Sequence, residues 1–327
     1  MCIMKKYLIT GASGFVAHHF FDYLNSIQDD CEVLGIDVVL PENMSLYKFS
    51  HLQLRFNQIN LLDYSTLETA IISFSPTYII HLASFSSVAK SWDEPINSFI
   101  NNTNIFLNLV EIIRKNNIPC RLLSVGSSEE YGNVPSDCIP IKESVQLNPV
   151  SPYAVARVSQ EMLAQCYVSS YKLDIVLTRS FNHIGPEQRD VFVIPSFIKQ
   201  ILENIKTGQS RNIKLFTGDV SLVRDFLDVR DVVKAYYLLL EKGVPGELYN
   251  ICSGTGRSIK EIIDILSNLL DVQIDVEVDK EKIRPSDNKI IIGDNFKIHN
   301  LTGWQPQFTI TDSLCDLIAY WKKILYI

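Results

Sequence analysis

Thr10-Gly11-Ala12-Ser13-Gly14-Phe15-Val16-Ala17 is the stretch on which the fold turns. The apolar run Tyr7-Leu8-Ile9-Thr10 leads into it, and a segment of helical length leaves it. Glycines three residues apart also occur in ordinary turns, so it is the strand before and the helix after that give this pair its meaning. Gly11 allows the tight turn, Gly14 lets main-chain N–H groups approach a pyrophosphate, and Ala17 sits where the helix must pack closely on the sheet. The helix N-terminus, with Ser13, Phe15 and Val16 around it, adds partial positive charge toward an anion. The loop reads as a cradle for the phosphates of a dinucleotide.

Further apolar runs follow at Val33-Leu34-Gly35-Ile36, Tyr78-Ile79-Ile80-His81-Leu82, Arg121-Leu122-Leu123-Ser124-Val125 and Asp174-Ile175-Val176-Leu177-Thr178. Helix-length stretches such as 99–115 and 152–171 lie between them. This alternation predicts an α/β chain built on a doubly wound parallel sheet. After residue 180 the pattern loosens. Residues 191–207 and 258–270 read as helices, and 273–278 as a strand, with Val272, Ile274, Val276 and Val278 alternating. We place a dinucleotide-binding domain at 1–180 and a smaller C-terminal substrate-binding lobe at 181–327, and expect 223–252 to return to the first domain.

Asp37 ends the second run, 23 residues after Gly14. A carboxylate there accepts hydrogen bonds from ribose hydroxyls and repels a 2′-phosphate, and neither Arg nor Lys flanks it. It selects NAD over NADP, unless it is only a solvated loop aspartate. Asn60-Leu61, after an extended stretch, is placed beside the adenine.

The 327 residues are 46% hydrophobic, enough to bury a core without disulfides or metal. Thirty basic against 37 acidic residues give a net charge of -7, which argues against nucleic acid or an anionic membrane as partner. It leaves room for an anionic nucleotide held by a few local donors. The cysteines (Cys2, Cys31, Cys120, Cys138, Cys166, Cys252, Cys315) are odd in number and none are spaced as a metal clip, so free thiols in a reducing compartment are expected. The adjacent His18 and His19 point two ways on a helix, and no metal site is expected. Residues 1–6 lead straight into a strand without a signal peptide, and no apolar run approaches the ~20 residues that span a bilayer. A soluble, cytoplasmic protein is expected.

A second constellation lies downstream. In Tyr153-Ala154-Val155-Ala156-Arg157, Tyr153 and Arg157 share one face of a predicted helix. Ser127 ends the fourth run in Val125-Gly126-Ser127-Ser128-Glu129-Glu130-Tyr131-Gly132, and strand C-terminal ends are where ligands sit in a doubly wound sheet. Over nearly its whole length the chain resembles the extended short-chain dehydrogenase/reductase (epimerase/dehydratase) family. That family has a glycine-rich opening, a Ser or Thr after the fourth strand, and a Tyr followed four residues later by Lys. Arg179-Ser180-Phe181-Asn182-His183-Ile184-Gly185-Pro186, Arg224-Asp225-Phe226-Leu227-Asp228-Val229-Arg230-Asp231, Tyr249-Asn250-Ile251-Cys252-Ser253-Gly254 and Arg284-Pro285-Ser286-Asp287 look like its GDP-sugar members. They resemble GDP-6-deoxy-4-keto-mannose reductases first and GDP-mannose 4,6-dehydratases second.

The resemblance implies hydride transfer between C4 of a nucleotide-sugar and a nicotinamide, with Tyr153 as acid/base and Ser127 hydrogen-bonded to the same oxygen. A free tyrosine ionises near ~10; a cation ~4 Å away at an effective dielectric of ~20 is worth about 4 kcal/mol, enough to bring a phenolate within reach nearer neutral pH. Arg157 departs from the family Lys. It keeps the charge but cannot release a proton, so it is a working substitute, the mark of a slow or specialised enzyme, or the mark of a dinucleotide-binding protein that has lost turnover. Leu82 and Ala83 are placed on the cofactor with Tyr153 and Arg157. Ser84, Ser128, Asn182, Val193 and Lys199 are placed along the substrate, with Arg224 and Arg284 on its diphosphate, where guanidinium forks match phosphate oxygens. Surface salt bridges are the other use for these arginines. Asn102 matches a structural asparagine at a helix start. Glu129 stands where the dehydratases carry the base that removes the C5 proton, unless it is a polar loop residue. A 4-keto reductase or 4-dehydrogenase therefore heads the order, followed by a 4,6-dehydratase with tightly bound NAD, then a 4-epimerase. A homodimer or homotetramer is expected, with 105–113 and 162–171 as pairing faces or as core.

Overall fold

The structure, a computed structural model, describes residues 4–28, 30–41, 49–208, 212–279 and 288–327. Its first half runs β1 (Lys5–Thr10), α1 (Phe15–Ser26), β2 (Cys31–Asp37), β3 (Leu52–Gln58), α2 (Tyr64–Phe74), β4 (Tyr78–His81), α3 (Val88–Asp93), α4 (Pro95–Phe99), α5 (Ile105–Lys115), β5 (Arg121–Ser127), α6 (Pro152–Tyr171) and β6 (Asp174–Ser180). The second half runs β7 (Asn182–Ile184), α7 (Val193–Lys206), β8 (Asn212–Thr217), β9 (Val223–Asp228), α8 (Val229–Lys242), β10 (Leu248–Ile251), β11 (Gly256–Ser258), α9 (Ile259–Leu270), β12 (Gln273–Val278), β13 (Ile290–Ile291), α10 (Phe296–Thr302) and α11 (Ile310–Leu325).

Seven strands in the order β10-β6-β5-β4-β1-β2-β3, all parallel, form the main sheet. Such strands are buried on both faces, which is why their sequences are continuous apolar runs rather than alternating ones. One face is covered by α1 and α8, whose Phe20, Phe21, Leu24, Val232, Val233 and Tyr236 enter a common core. The other is covered by α2, α5 and α6, through Leu67, Ile71, Phe106, Leu109, Val110 and Ala164 among others. The doubly wound sheet read from the sequence is thus the one observed. Its strand order reverses between β1 and β4, and a ligand crevice belongs at that switch point.

Outside this sheet, β9 pairs with β7, β11 and β13, and β8 pairs with β12. A separate core joins α7, α9 and α11, with Phe197, Ile263, Leu317 and Trp321 inside it. Within 223–252, β10 joins the large sheet and α8 packs on it, while β9 pairs with the short strands β7, β11 and β13. The helix expected over 99–115 is interrupted by a π-helical turn at Ile100–Asn104. Asn102 lies inside that turn rather than at a helix start. Its amide donates to Ser98 O at 2.7 Å and its Oδ1 accepts from Ser84 Oγ at 2.8 Å, which fastens the loop after β4 to the helix. Among the described residues no helix is long and apolar enough to cross a membrane, and no group of three or more His, Cys, Asp or Glu is placed to hold a metal.

Candidate active site

Gly11 has φ +71°, and a Cβ there would lie 2.7 Å from Ala83 N and 2.9 Å from Leu82 C. Only glycine allows the loop after β1 to turn this tightly against the loop after β4. Gly11 N–H donates to Ile36 O at 2.9 Å, and Gly14 N–H donates to Gly11 O at 3.0 Å. Gly14 is the N-cap of α1 and has no side-chain cap. The helix therefore starts without a side-chain oxygen on its first N–H groups, at the edge of a cleft of about 2230 Å³. This is a main-chain seat for an anion. Ala17 is fully buried, as close helix–sheet packing requires.

Asp37, at the end of β2, accepts from Ser13 N–H at 2.9 Å and from Val38 N–H at 2.7 Å. Its carboxylate thus stitches the phosphate loop to the second strand while lining the cleft. Ser13, Phe15, Val16, Asn60, Leu61, Leu82 and Ala83 line the same cleft. So do Ser84, Ser127, Ser128, Glu129, Tyr153, Arg157, Asn182, Val193 and Arg224. Residues dispersed from 11 to 224 are therefore gathered into one crevice at the switch point.

Ser151 caps α6, its hydroxyl accepting from Ala154 N–H at 3.1 Å, with Pro152 at the first helical position. This fixes where the helix starts and hence where Tyr153 projects; Tyr153 is 7% exposed at the cleft wall. Ser127 is half-buried at the end of β5.

Arg157 shares the buried face of α6 with Tyr153, as their spacing implies. Its guanidinium carbon is 6.0 Å from the centre of the Tyr153 ring. One terminal nitrogen donates to Val125 O on β5 and the other to Asn102 Oδ1 at 3.5 Å. The long fork is 3% exposed and reaches past the tyrosine into the sheet, where a carbonyl accepts from it.

Two substrate candidates have partners within the chain. The Lys199 ammonium pairs at 2.6 Å with Asp190, and it is Asp190 that lines the cleft. Ser84 lines the cleft, but its hydroxyl proton is committed to Asn102. Arg224 lines the cleft and is 6% exposed, with Nη1 donating to Asn288 O at 2.7 Å. Arg284 lies outside the described residues. His18 and His19 do not diverge as expected: both reach the loop after β7, His18 to Glu187 and His19 to Pro186 O at 3.1 Å. The Glu187 carboxyl is held below its usual range by that His18 hydrogen bond.

Some contacts in the cleft carry no local signal. Phe15 stacks on His183 with ring centres 5.7 Å apart, joining α1 to β7. Tyr236 of α8 shares a 2.7 Å hydrogen bond with Ser180, and burial pushes its hydroxyl above the usual tyrosine range. These partners are 56 residues or more apart, so no sequence spacing announces them.

The family model for GDP-mannose 4,6 dehydratase matches residues 8–317. GDP-6-deoxy-D-mannose reductase of Pseudomonas aeruginosa is 30% identical over 98% of both chains. The structure of RMD from Pseudomonas aeruginosa complexed with NADPH has a TM-score of 0.82 at 29% identity, covering 98% of both chains. UDP-glucuronic acid 4-epimerase from Bacillus cereus, in complex with UDP-glucuronic acid and NAD, has a TM-score of 0.84 at 27% identity, covering 98% of this chain and 99% of that one. A match of this extent, on a chain with this phosphate loop and this switch-point cleft, places the protein in the GDP-mannose 4,6-dehydratase family.

Proposed function

We propose that the protein is a nucleotide-sugar oxidoreductase that exchanges hydride at C4 of a GDP-linked manno-type sugar, as a 4-keto reductase or a 4-dehydrogenase. The observation that carries this reading is the gathering of Ser127, Tyr153 and Arg157 in the same cleft as the Gly11–Gly14 loop. The GDP linkage follows the reductase relative and the family.

The residues fit a dinucleotide. The uncapped start of α1 and the Cβ-free surface of Gly11 would hold the pyrophosphate, and Asp37 the adenosine ribose. When bound, NAD supplies the hydride acceptor or, reduced, the donor. Tyr153 moves the proton at the C4 oxygen, and Ser127 hydrogen-bonds that oxygen. Arg157 supplies fixed positive charge beneath Tyr153, with no proton to give. Asp37 favours NAD over NADP by repulsion of a 2′-phosphate. Asn182, Ser128, Val193 and Arg224 are the substrate contacts we retain, and residues 181–327 other than the returning 223–252 form the substrate-binding lobe.

A second reading is a 4,6-dehydratase. It is favoured by Glu129, half-buried and lining the cleft next to Ser128, where a C5 proton acceptor would stand. Denaturing the purified protein and identifying the released nucleotide by mass spectrometry separates the two. Stoichiometric NAD favours the dehydratase, or a dehydrogenase that recycles its cofactor. An empty or exchangeable site favours the reductase, and no affinity for any nicotinamide dinucleotide rules out both.

We also propose a cytoplasmic homodimer or homotetramer. The 105–113 face is spent on the chain's own core, where Ile105, Leu109 and Ile113 are buried. Trp92, Ile96, Phe99, Val155 and Met162 leave apolar surface exposed on α3, α4 and α6 instead, which supports pairing there.

A further inference from the structure

Four consecutive residues, Glu187, Gln188, Arg189 and Asp190, line the cleft on the loop between β7 and α7. Three of their side chains are fastened. The Glu187 carboxylate is bonded by His18 Nδ1 of α1, Gln188 Nε2 donates to His183 O at 3.0 Å, and Asp190 pairs with Lys199 of α7 at 2.6 Å. Arg189 is exposed, and among the described residues none hydrogen-bonds or ion-pairs its guanidinium. The carboxylates beside it in the chain, Glu187 and Asp190, are both engaged elsewhere, so its charge is left to the cleft.

The loop is also held against its own preference. Glu187 has φ +70°, in the left-handed region that a residue with a Cβ rarely adopts. Such a backbone persists where its surroundings over-determine it. Here His18 holds the Glu187 side chain, His19 Nε2 donates to Pro186 O at 3.1 Å, and Phe15 stacks on His183 with ring centres 5.7 Å apart. All three anchors come from the first two turns of α1, the helix whose uncapped start is the anion seat. They fix where Arg189 stands relative to the phosphate loop. Arg224 lines the same cleft, but it is 6% exposed and gives Nη1 to Val223 O and Asn288 O. Arg189 keeps its whole fork for a ligand, and a planar guanidinium fork matches two phosphate oxygens. The dinucleotide pyrophosphate has its seat at the start of α1, so the anion left for Arg189 is a second one, on the substrate side of the cleft.

We propose that Arg189 binds the diphosphate of the nucleotide-sugar, and that Glu187 is the residue that positions it. This rests on the nucleotide-sugar reading given above. The diphosphate is common to GDP, UDP and dTDP, so Arg189 supplies affinity without choosing the base.

The test titrates GDP, UDP and dTDP in turn into the protein by calorimetry, at saturating NADH. Arg189→Gln weakens whichever diphosphate the native protein binds by about tenfold, while NADH affinity stays within about twofold. Glu187→Gly removes the tie to His18 and leaves a residue that accepts positive φ, so the same diphosphate binds about fivefold more weakly while the thermal midpoint is not lowered. E187Q, which keeps an oxygen for His18, recovers most of that affinity. R189Q within about twofold of native for the diphosphate, or a loss that falls equally on NADH, overturns the role of Arg189. E187G with native affinity, or E187Q as impaired as E187G, overturns the role of Glu187. A native protein that binds none of the three diphosphates overturns the nucleotide-sugar reading, and this inference with it.

Discussion

The two ends of the cleft are built by opposite means. At the phosphate loop no buried charge is used: glycine geometry, an uncapped helix start and one half-buried carboxylate do the holding. Beneath Tyr153 four buried ionisable side chains, Glu130, Arg157, Glu161 and Arg179, are packed between α6 and the sheet. Main-chain donors fixed by φ and ψ bind a ligand of constant shape and do not titrate. Buried charges tune proton chemistry, and they bring sensitivity to pH and to single substitutions. The comparison teaches that capture and chemistry are separable here, and each prediction below strikes one end while leaving the other intact.

The largest effect belongs to the chemical end. Tyr153→Phe lowers kcat by about 10²–10⁴-fold, as loss of a positioned acid/base does, while dinucleotide affinity measured by fluorescence titration stays within about threefold. Equal losses of both would merge the two ends. Next comes the capture end. Gly11→Ala forces a Cβ onto the Leu82–Ala83 backbone at positive φ, so a loss of about 2–3 kcal/mol in urea unfolding is expected, together with loss of dinucleotide binding. Asp37→Asn keeps an acceptor for Ser13 N–H but drops the charge, and the preference for NAD over NADP in paired titrations narrows about tenfold, or about 1.4 kcal/mol.

A further effect concerns acid stability. His81 is fully buried, its Nδ1 2.9 Å from Thr10 Oγ1, and burial followed by the nearby Arg157 holds its pKa down to about 3. Unfolded, it ionises near ~6.5. Because the unfolded chain binds the extra proton, the native state is favoured above that value and loses stability as pH falls from 6.5 toward 3, by at most about 1.4 kcal/mol per pH unit. His81→Gln flattens that part of the slope in denaturant midpoints taken between about pH 7 and pH 5. An unchanged slope would remove His81 from the account.

Legibility follows the same division. Strands β1, β2, β4, β5 and β6 stood out because a buried parallel strand is a continuous apolar run, and α6 was read to the residue because Ser151-Pro152 announces its start. Gly11, Gly14 and Asp37 were found because main-chain geometry demands particular residues at fixed spacing. Strand β9 pairs with β7, β11 and β13 while its Leu227 enters the core of the large sheet, since pairing partners are a tertiary choice that apolar runs do not encode. The π-helical turn at Asn102 was hidden inside an unbroken helical pattern. The buried charges were the least visible. Glu130 carries no signal of its own in the sequence before the fold turns it under Ser127, and the inward reach of Arg157 depends on a carbonyl 32 residues away. The pairing of Lys199 with Asp190 is likewise a tertiary contact that no local pattern announces.

The central claim is hydride exchange at C4 governed by Tyr153. The most direct test supplies NADH deuterated at the transferring position with a GDP-4-keto-6-deoxy sugar and locates the label in the product by NMR. The account predicts deuterium at C4 of the GDP-sugar, abolished in Tyr153→Phe. Label absent from C4 with the native protein, or incorporation that persists in Tyr153→Phe, would contradict it.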